Sequence, residues 1–531
     1  MKKLLILISL PLILLYSQDD RQKNPNVELP DFVITGKDVI SIKRAKKIEP
    51  DFVSTITESF IKPQHKPEEL GLRQLSNPVK EELNLLDSTG YSKGSLSVNA
   101  GIYTLPDAKL NYNYPFENGM IRANVGGDYQ RAYINNSGRY SVFGGAGLSY
   151  TTGLEDESVS GTTFFLGGDY TTSNYKLFAS DNPAIERNKN VGNYYLGIQN
   201  LSGKTFIFDL KLNDYFTALS NQKFTDNLLD SKGFALLRFS DFGIGLKTNY
   251  QKQFYTNDSL DNAGFDFFSA RPYISLEILS TLKAEVGYTF SNSGNQKFNN
   301  LYASFSLKLS RNLVLLGEFS PYAEFITSGK FLRKNDYFNA ANFDNLFFRK
   351  SNYYNIVLKY EYGKYYQVDA GLKHYKSGDL PYFSGSDLSG QFDVATADAE
   401  EYNAYVNLLY HAGPYGLLYG SFDYFRVKDK SGRKLPYYPA FKANITYGYR
   451  FDIGLLAEIL VDYNSGRYTN IQNTKRLNSF FNLGLKFTYT VKNSLIVKFE
   501  FQNLLNRDIF YWNGYKEKPI DVLAGFNYLF D

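Results

Sequence analysis

The side chains with the clearest chemical meaning are charges set an even number of positions apart. Lys359 and Glu361, Asp369 and Lys373, Lys442 and Arg450, and Lys498 and Glu500 stand this way, with apolar or aromatic residues interleaved. On an extended strand such spacing brings both members of a pair to one face. Because the signs are mixed, two chemistries are open. One is the wall of an enclosed aqueous path that selects ions or polar solutes. The other is a cross-strand network of ion pairs that keeps such a wall rigid and wetted. Local neutralisation within pairs such as Lys359/Glu361 favours the network.

Other chemistries are poorly supplied. With no cysteine in the chain, disulfides, thiolate metal sites, cysteine nucleophiles and a lipid-anchored amino-terminal Cys are excluded. The three histidines, His65, His374 and His411, are too scattered for a metal centre, so neither a metal nor another cofactor is expected. His374 is expected to end a strand, and His411 sits beside the turn Ala412-Gly413-Pro414. Nothing orders a nucleophile against either. Asp398, Glu400 and Glu401 are read as lying in a loop without a pocket. No catalytic residue, and no enzyme, is expected. A net charge of +4 over 531 residues gives no argument for nucleic-acid binding.

The elements that must position the paired charges are strands. In Phe441–Phe451 every odd position is apolar or aromatic and every even one is polar or Gly. A period of two over that length makes a strand with one oily and one wet face. It is about the 9–11 residues a tilted strand needs to cross a bilayer. The same alternation recurs in 204–212, 282–290, 354–362 and 366–373. Aromatics make up 17% of the chain, with 45 Tyr and 43 Phe, while mean hydropathy is only −0.34. That combination excludes a bundle of membrane helices and suits strands carrying aromatics on one side.

Along the chain, residues 1–17 read as a signal peptide, with Lys2 and Lys3 before an apolar run too short to span. Residues 18–93 are charged, rich in proline and poor in alternation, and read as a short irregular periplasmic extension. From 94 to 531 the pattern predicts an all-β fold. This is a transmembrane, antiparallel, up-and-down β-barrel of about 22 strands. Short turns, as at Ser202-Gly203, Ser310-Arg311 and Lys492-Asn493, alternate with long polar links at 171–190, 218–230, 321–350, 376–400, 428–438, 465–477 and 506–518. A barrel of that size has a wide lumen, so loops or residues 18–93 are expected to fill it. The loop aromatics Tyr337, Phe338, Phe343, Phe347, Phe348, Tyr511, Trp512 and Tyr515 suit ligand stacking, an interfacial girdle or packing of loop on loop.

The last hairpin carries a resemblance. Phe499–Arg507 (FEFQNLLNR), Tyr511–Tyr515 (YWNGY) and Ala524–Phe530 (AGFNYLF) resemble the end of TonB-dependent outer-membrane receptors. Their barrel closes with such a turn, an aromatic loop and a strand ending in Phe. The resemblance covers about 95–530, and Phe530 is here followed by Asp531. It implies that Phe526, Tyr528 and Phe530 form the strand read by the barrel-assembly machinery. Asp31, Phe32, Val33, Ile34, Thr35 and Gly36 resemble the TonB box, which pairs as an added strand with a TonB-like periplasmic protein. Only about 60 residues follow Gly36 before the first strand, and no plug motif is visible among them. The expectation is an outer-membrane, receptor-like barrel, embedded in outer-membrane lipid, for uptake or passage of a small polar solute whose identity is not legible. The alternative is a non-transporting barrel, structural or for surface interaction, with its lumen occluded by loops or by the amino-terminal segment.

Overall fold

The computed structural model describes residues 93–530 except for 154–160, 202, 204, 221, 259–260, 262, 279–280, 343–344, 363–365 and 412–415. The expected signal peptide, the extension up to residue 92 and the segment Asp31–Gly36 lie outside the described residues.

Strands follow one another almost without interruption. They begin with β1 (Gly94–Gly101), β2 (Thr104–Phe116), β3 (Gly119–Gln130), β4 (Arg139–Thr151), β5 (Thr163–Lys176) and β6 (Glu186–Asn200). Next come β7 (Phe206–Leu219), β8 (Phe224–Arg238), β9 (Phe242–Thr256), β10 (Ala263–Ile278), β11 (Leu282–Ser293), β12 (Gln296–Ser310), β13 (Leu313–Phe319) and β14 (Tyr322–Thr327). A helix α1 (Ser328–Lys334) precedes β15 (Asn345–Tyr362), β16 (Tyr366–Gly385), β17 (Phe392–His411), β18 (Leu417–Asp429), β19 (Phe441–Arg450) and β20 (Leu455–Asn464). The series ends with β21 (Arg467–Tyr468), β22 (Arg476–Leu477), β23 (Phe480–Lys492), β24 (Leu495–Gln502), β25 (Phe510–Trp512), β26 (Tyr515–Lys516) and β27 (Asp521–Phe530).

Neighbours in sequence pair antiparallel, and β27 pairs with β1 from Gly94↔Phe530 to Gly101↔Leu523, which closes the sheet. The sheet counts 23 strands, but β13 and β14 are two segments of one stave, both pairing with β15, so the closed barrel has 22. An even number returns both ends of the barrel to one rim, here called the terminal rim; the opposite one is the loop rim. Pairing of the first strand with the last leaves neither of them as an edge, the condition for crossing hydrocarbon with strands.

Which face of each strand turns outward follows from its alternation. Leu148, Leu166, Leu196 and Leu212 sit opposite one another on four successive strands, an apolar row on the outer wall. Leu166 is 54% and Leu196 56% exposed. Tyr150, Phe164, Phe206, Phe242, Tyr362 and Tyr410 project outward near the terminal rim, and Tyr140, Tyr170, Tyr194 and Tyr250 farther from it along their strands. An apolar waist between two aromatic collars matches a bilayer and its interfaces. Inward positions carry Lys, Asp, Glu and Asn together with aromatics lying over glycine. A Cβ on Gly371 would meet the Tyr405 ring at 2.4 Å, and one on Gly245 the Tyr273 ring at 2.1 Å.

Three expectations need correction. The long links at 171–190, 218–230 and 376–400 are largely strand, with β5 paired to β6 as far as Lys176↔Glu186 and β16 to β17 as far as Gly385↔Phe392. β16 and β17 each run 20 residues, far beyond the span of a membrane. Above the bilayer both faces are wet or packed on loops, so pairing continues where the apolar alternation stops. His374 therefore lies within β16, and Asp398, Glu400 and Glu401 lie within β17 rather than in a loop. The stretch 321–350 is no surface link either: it folds into the barrel mouth.

Candidate functional site

The inward turn begins where the wall breaks. β13 pairs with β12 up to Ala303↔Phe319, and then Ser320-Pro321 interrupts the stave. Proline has no N–H to give to a ladder and is tolerated at such breaks. On the other side β15 carries a bulge between Ser351 and Tyr354, with Asn352 in the left-handed region at φ 49°. Asparagine is among the few non-glycine residues that adopt this conformation readily. Between these two bends β14 and the start of β15 form a ribbon, from Tyr322↔Lys350 to Thr327↔Asn345, whose side chains are mostly buried. Phe325 and Phe347 pack on Phe267, an inward residue of β10. Residues 320–353 thus form a flap folded in from the wall.

Inward-facing groups near the loop rim hold its tip. Asp336 forms ion pairs with Lys189 and, at 3.7 Å, with Arg139. Arg187 is 0% exposed; it donates to the carbonyl oxygens of Asp336 at 3.0 Å and Phe338 at 2.8 Å, and to Gln391 Oε1 at 2.5 Å. The Tyr175 hydroxyl adds a bond of 2.7 Å to the Asp336 carbonyl. Helix α1 is capped from the wall: the Gly329 N–H donates to Asp226 Oδ2 at 2.6 Å, which supplies the acceptor that Thr327 does not. Arg333 at its other end donates to Thr217 Oγ1 at 2.8 Å and the Phe216 carbonyl at 3.1 Å. Further along, Tyr255 donates to the Ala340 carbonyl at 3.2 Å, and Asn339 Nδ2 to Asp393 at 2.9 Å. Partners therefore come from β4 to β9 on one side and β17 on the other, so the flap lies across the mouth.

Apolar contacts complete the closure. Phe331 meets Phe338 and Phe383 with ring centroids 5.8 Å away in each case. Tyr337 stacks on Tyr515 from the last loop, while Trp512 contacts Phe383, Phe392 and Tyr437. Leu332, Phe338 and Leu435 are wholly buried in this core. Of the aromatics singled out in the loops, Tyr337, Phe338, Trp512 and Tyr515 pack on other loop and rim aromatics. Phe347 and Phe348 pack on the wall residues Phe267 and Tyr375, and Phe343 lies outside the described residues. Burial, reinforced by Asp336, holds the Tyr337 phenol well above its usual range, so it remains neutral. Burial likewise pushes Tyr511 up to about 12.

The charges singled out from the sequence fall on separate arcs of the inner wall. Lys359 and Asp369 are paired across β15 and β16 at 3.9 Å. Glu361 beside them is buried, with Oε2 lacking a partner among the described residues. Lys373 lies 4.6 Å over the Tyr405 ring and Lys442 5.5 Å over that of Phe425. Arg450 is exposed at the end of β19, at the terminal rim. Lys498 and Glu500 share a face of β24, and Glu500 accepts a 2.7 Å bond from Gln502. Phe526 and Tyr528 are exposed on the outer face of β27, with Phe530 beside Gly94 of β1. The flap residues Arg333 and Asp336 and their wall partners Asp226 and Arg187 were not singled out. Arg187 and Lys189 stand two apart, the spacing used for the other pairs, but within a stretch read as loop.

No family model matches the chain, and no curated protein matches it. Solved structures of similar fold include the siderophore receptor PiuA from Acinetobacter baumannii, with a TM-score of 0.60 at 12% identity over 82% of this chain and 81% of that one. The copper transporter OprC gives 0.62 at 13%, over 83% and 80%. The pyoverdine outer membrane receptor FpvA from Pseudomonas aeruginosa gives 0.58 at 12%, over 84% and 79%. At such identities the likeness is one of architecture: the chain is a 22-stranded antiparallel barrel built like these receptors and transporters.

Proposed function

We propose that the chain is a receptor-like barrel of an outer membrane that passes a small polar solute and is held shut by its own flap. The observation that carries this reading is the flap 320–353, fixed by buried charge-assisted bonds at Asp336 and Arg187 and hinged at Ser320-Pro321 and Asn352. A hinge at each base and a ring of polar latches at the tip suit an element with two positions. A second seat exists for it. Residues 296–302 of β12 pair with β11 but with neither β13 nor β14. Continuing the register Ala303↔Phe319 places Ser320 opposite Tyr302 and Tyr322 opposite Asn300. Swung outward, β14 completes the wall along that free edge while the mouth opens.

In this reading the terminal rim faces the periplasm, and Asp31–Gly36 offers an added strand to a TonB-like partner that drives the opening. Phe526, Tyr528 and Phe530 present the final strand to the barrel-assembly machinery. The apolar core around Phe331 and Phe338 favours one alternative, a permanently closed barrel with a structural or surface-interaction role.

Planar-bilayer recording decides between the two. Wild-type protein is expected to be nearly silent, and Asp336→Ala to give discrete openings. Silence of both Asp336→Ala and a variant lacking 322–350, each inserted as a folded barrel, overturns passage and leaves the closed scaffold.

A further inference from the structure

The outer wall of β15 to β18 carries a row of side chains that neither the flap nor the lumen uses. The register sets Tyr354 opposite His374, His374 opposite Tyr402, and Tyr402 opposite Arg426. Residues opposed across strands share a face, and Tyr354 and Tyr402 are exposed, so the whole row looks outward. Its members stack on one another. The rings of Tyr354 and His374 lie 6.3 Å apart and 8° from parallel, and those of His374 and Tyr402 lie 4.2 Å apart at 23°. Arg426 ends the row, 5.9 Å over the Tyr402 ring. A guanidinium laid on a ring is held in place while the donors along its edge stay available.

What flanks the row decides what it can meet. On the side of the terminal rim come Ile356, Leu372, Ala404 and Tyr424, opposed in the same order. Leu372 is 62% and Ile356 52% exposed, so this is bare apolar wall. On the side of the loop rim Lys376 faces Glu400, Glu400 faces Lys428, and Lys428 bridges to Lys434. The carboxylates there are engaged: Glu400 pairs with Lys376 at 3.6 Å, and Asp398 pairs with Lys430. Arg426, Lys428 and Lys434 form no ion pair among the described residues, and they leave the strip with an excess of positive charge. From Tyr366, opposite Tyr362 in the collar at the terminal rim, β16 climbs to His374. At the rise and tilt of a barrel strand that is roughly 20 Å of height, close to the ~25 Å of a barrel's apolar band. The cations therefore stand where hydrocarbon gives way to head groups.

We infer that this strip binds a phosphorylated lipid of the leaflet on the loop-rim side. Arg426, Lys428 and Lys434 hold the phosphate, which suits charge-assisted bonds from a guanidinium and two ammonium groups. An acyl chain runs from there down the wall over Leu372 and Ile356. A free phosphate would satisfy the cations alone, and the apolar wall directly beneath them selects the lipid. The site requires the barrel and its membrane, but neither the flap nor the passage of a solute.

Native mass spectrometry of the full chain in detergent micelles tests the inference. The probe is dimyristoyl phosphatidic acid, and the control is dimyristoylglycerol, which lacks only the phosphate. Wild-type protein is expected to hold the phosphatidic acid at least tenfold more tightly than the control, with the preference shrinking as salt is raised. An Arg426→Gln/Lys428→Gln/Lys434→Gln variant is expected to lose at least tenfold in that affinity. Lys252→Gln removes a lysine of β9 already paired with Asp266 at 3.8 Å, and is expected to keep the affinity of wild type. Heat-dependent gel migration shows that each variant remains a barrel. Equal affinity for the two lipids, equal affinity in wild type and the triple variant, or an equal loss in Lys252→Gln overturns the inference. Displacement of the lipid by inorganic phosphate at the same concentration also overturns it, in favour of a site for the free ion.

Discussion

Asp336 shows how much one side chain can hold. It pairs with both Lys189 and Arg139, while its backbone carbonyl accepts from Arg187 and Tyr175. Hydrogen bonds to charged groups contribute about 1.5–3 kcal/mol each, and every ~1.4 kcal/mol is a tenfold change in a population. Asp336→Ala should therefore raise the open population by one to two orders of magnitude, read as open probability in single-channel records. Arg187→Met should act more severely, because it removes one buried donor from the Asp336 and Phe338 carbonyls and from Gln391 together. Proteolytic cleavage within 335–342 is expected to accelerate in both. Neither residue was legible in the sequence, and the reason is physical. A latch is made by chain segments some 150 positions apart, as in Arg187 to Asp336 and Phe338, and no local period records such a contact. What local pattern does record is a shared face, which is why Lys359 and Asp369 emerged as wall residues.

Among the elements, the ribbon of β14 and β15 depends on its two bends. Asn352 holds φ 49° at the bulge, and a β-branched residue there meets a strain of about 1–2 kcal/mol. Asn352→Val should loosen the flap, and Asn352→Gly should be nearly neutral; protease sensitivity of 335–342 separates the two. Strand identity was readable wherever one face meets oil and the other water, as in 282–290 and 354–362. Reading failed where β16 and β17 rise above the membrane, because there the environment ceases to differ between faces. It failed again at 321–350, where polar composition suggested a surface link. Its Lys, Arg and Asp residues do meet water and partners, but inside the mouth.

For the whole molecule, the seal is the shared edge of β1 and β27. Removal of residues 521–530 exposes the edges of β1 and β24 to hydrocarbon, where an unsatisfied backbone group costs several kcal/mol. Such a chain is expected not to insert, seen as loss of the compact, heat-sensitive gel band. Within an intact barrel, Leu166→Arg should cost about 2–4 kcal/mol if its row lies near the midplane, measured by reversible unfolding in lipid vesicles. Closure, antiparallel order and strand number were all legible, since each follows from a period and an even count. The contents of the lumen were expected only in outline.

The joint between Phe331, Leu332, Phe338 and the aromatic loops is an oil-filled one, and this gives the closed state a thermal character. Apolar burial loses strength on cooling, whereas the ordering entropy that opposes closure grows with heat. The cap should therefore grip hardest at an intermediate temperature and slacken both in the cold and near melting, so a cell's growth temperature would itself tune how often this door stands ajar.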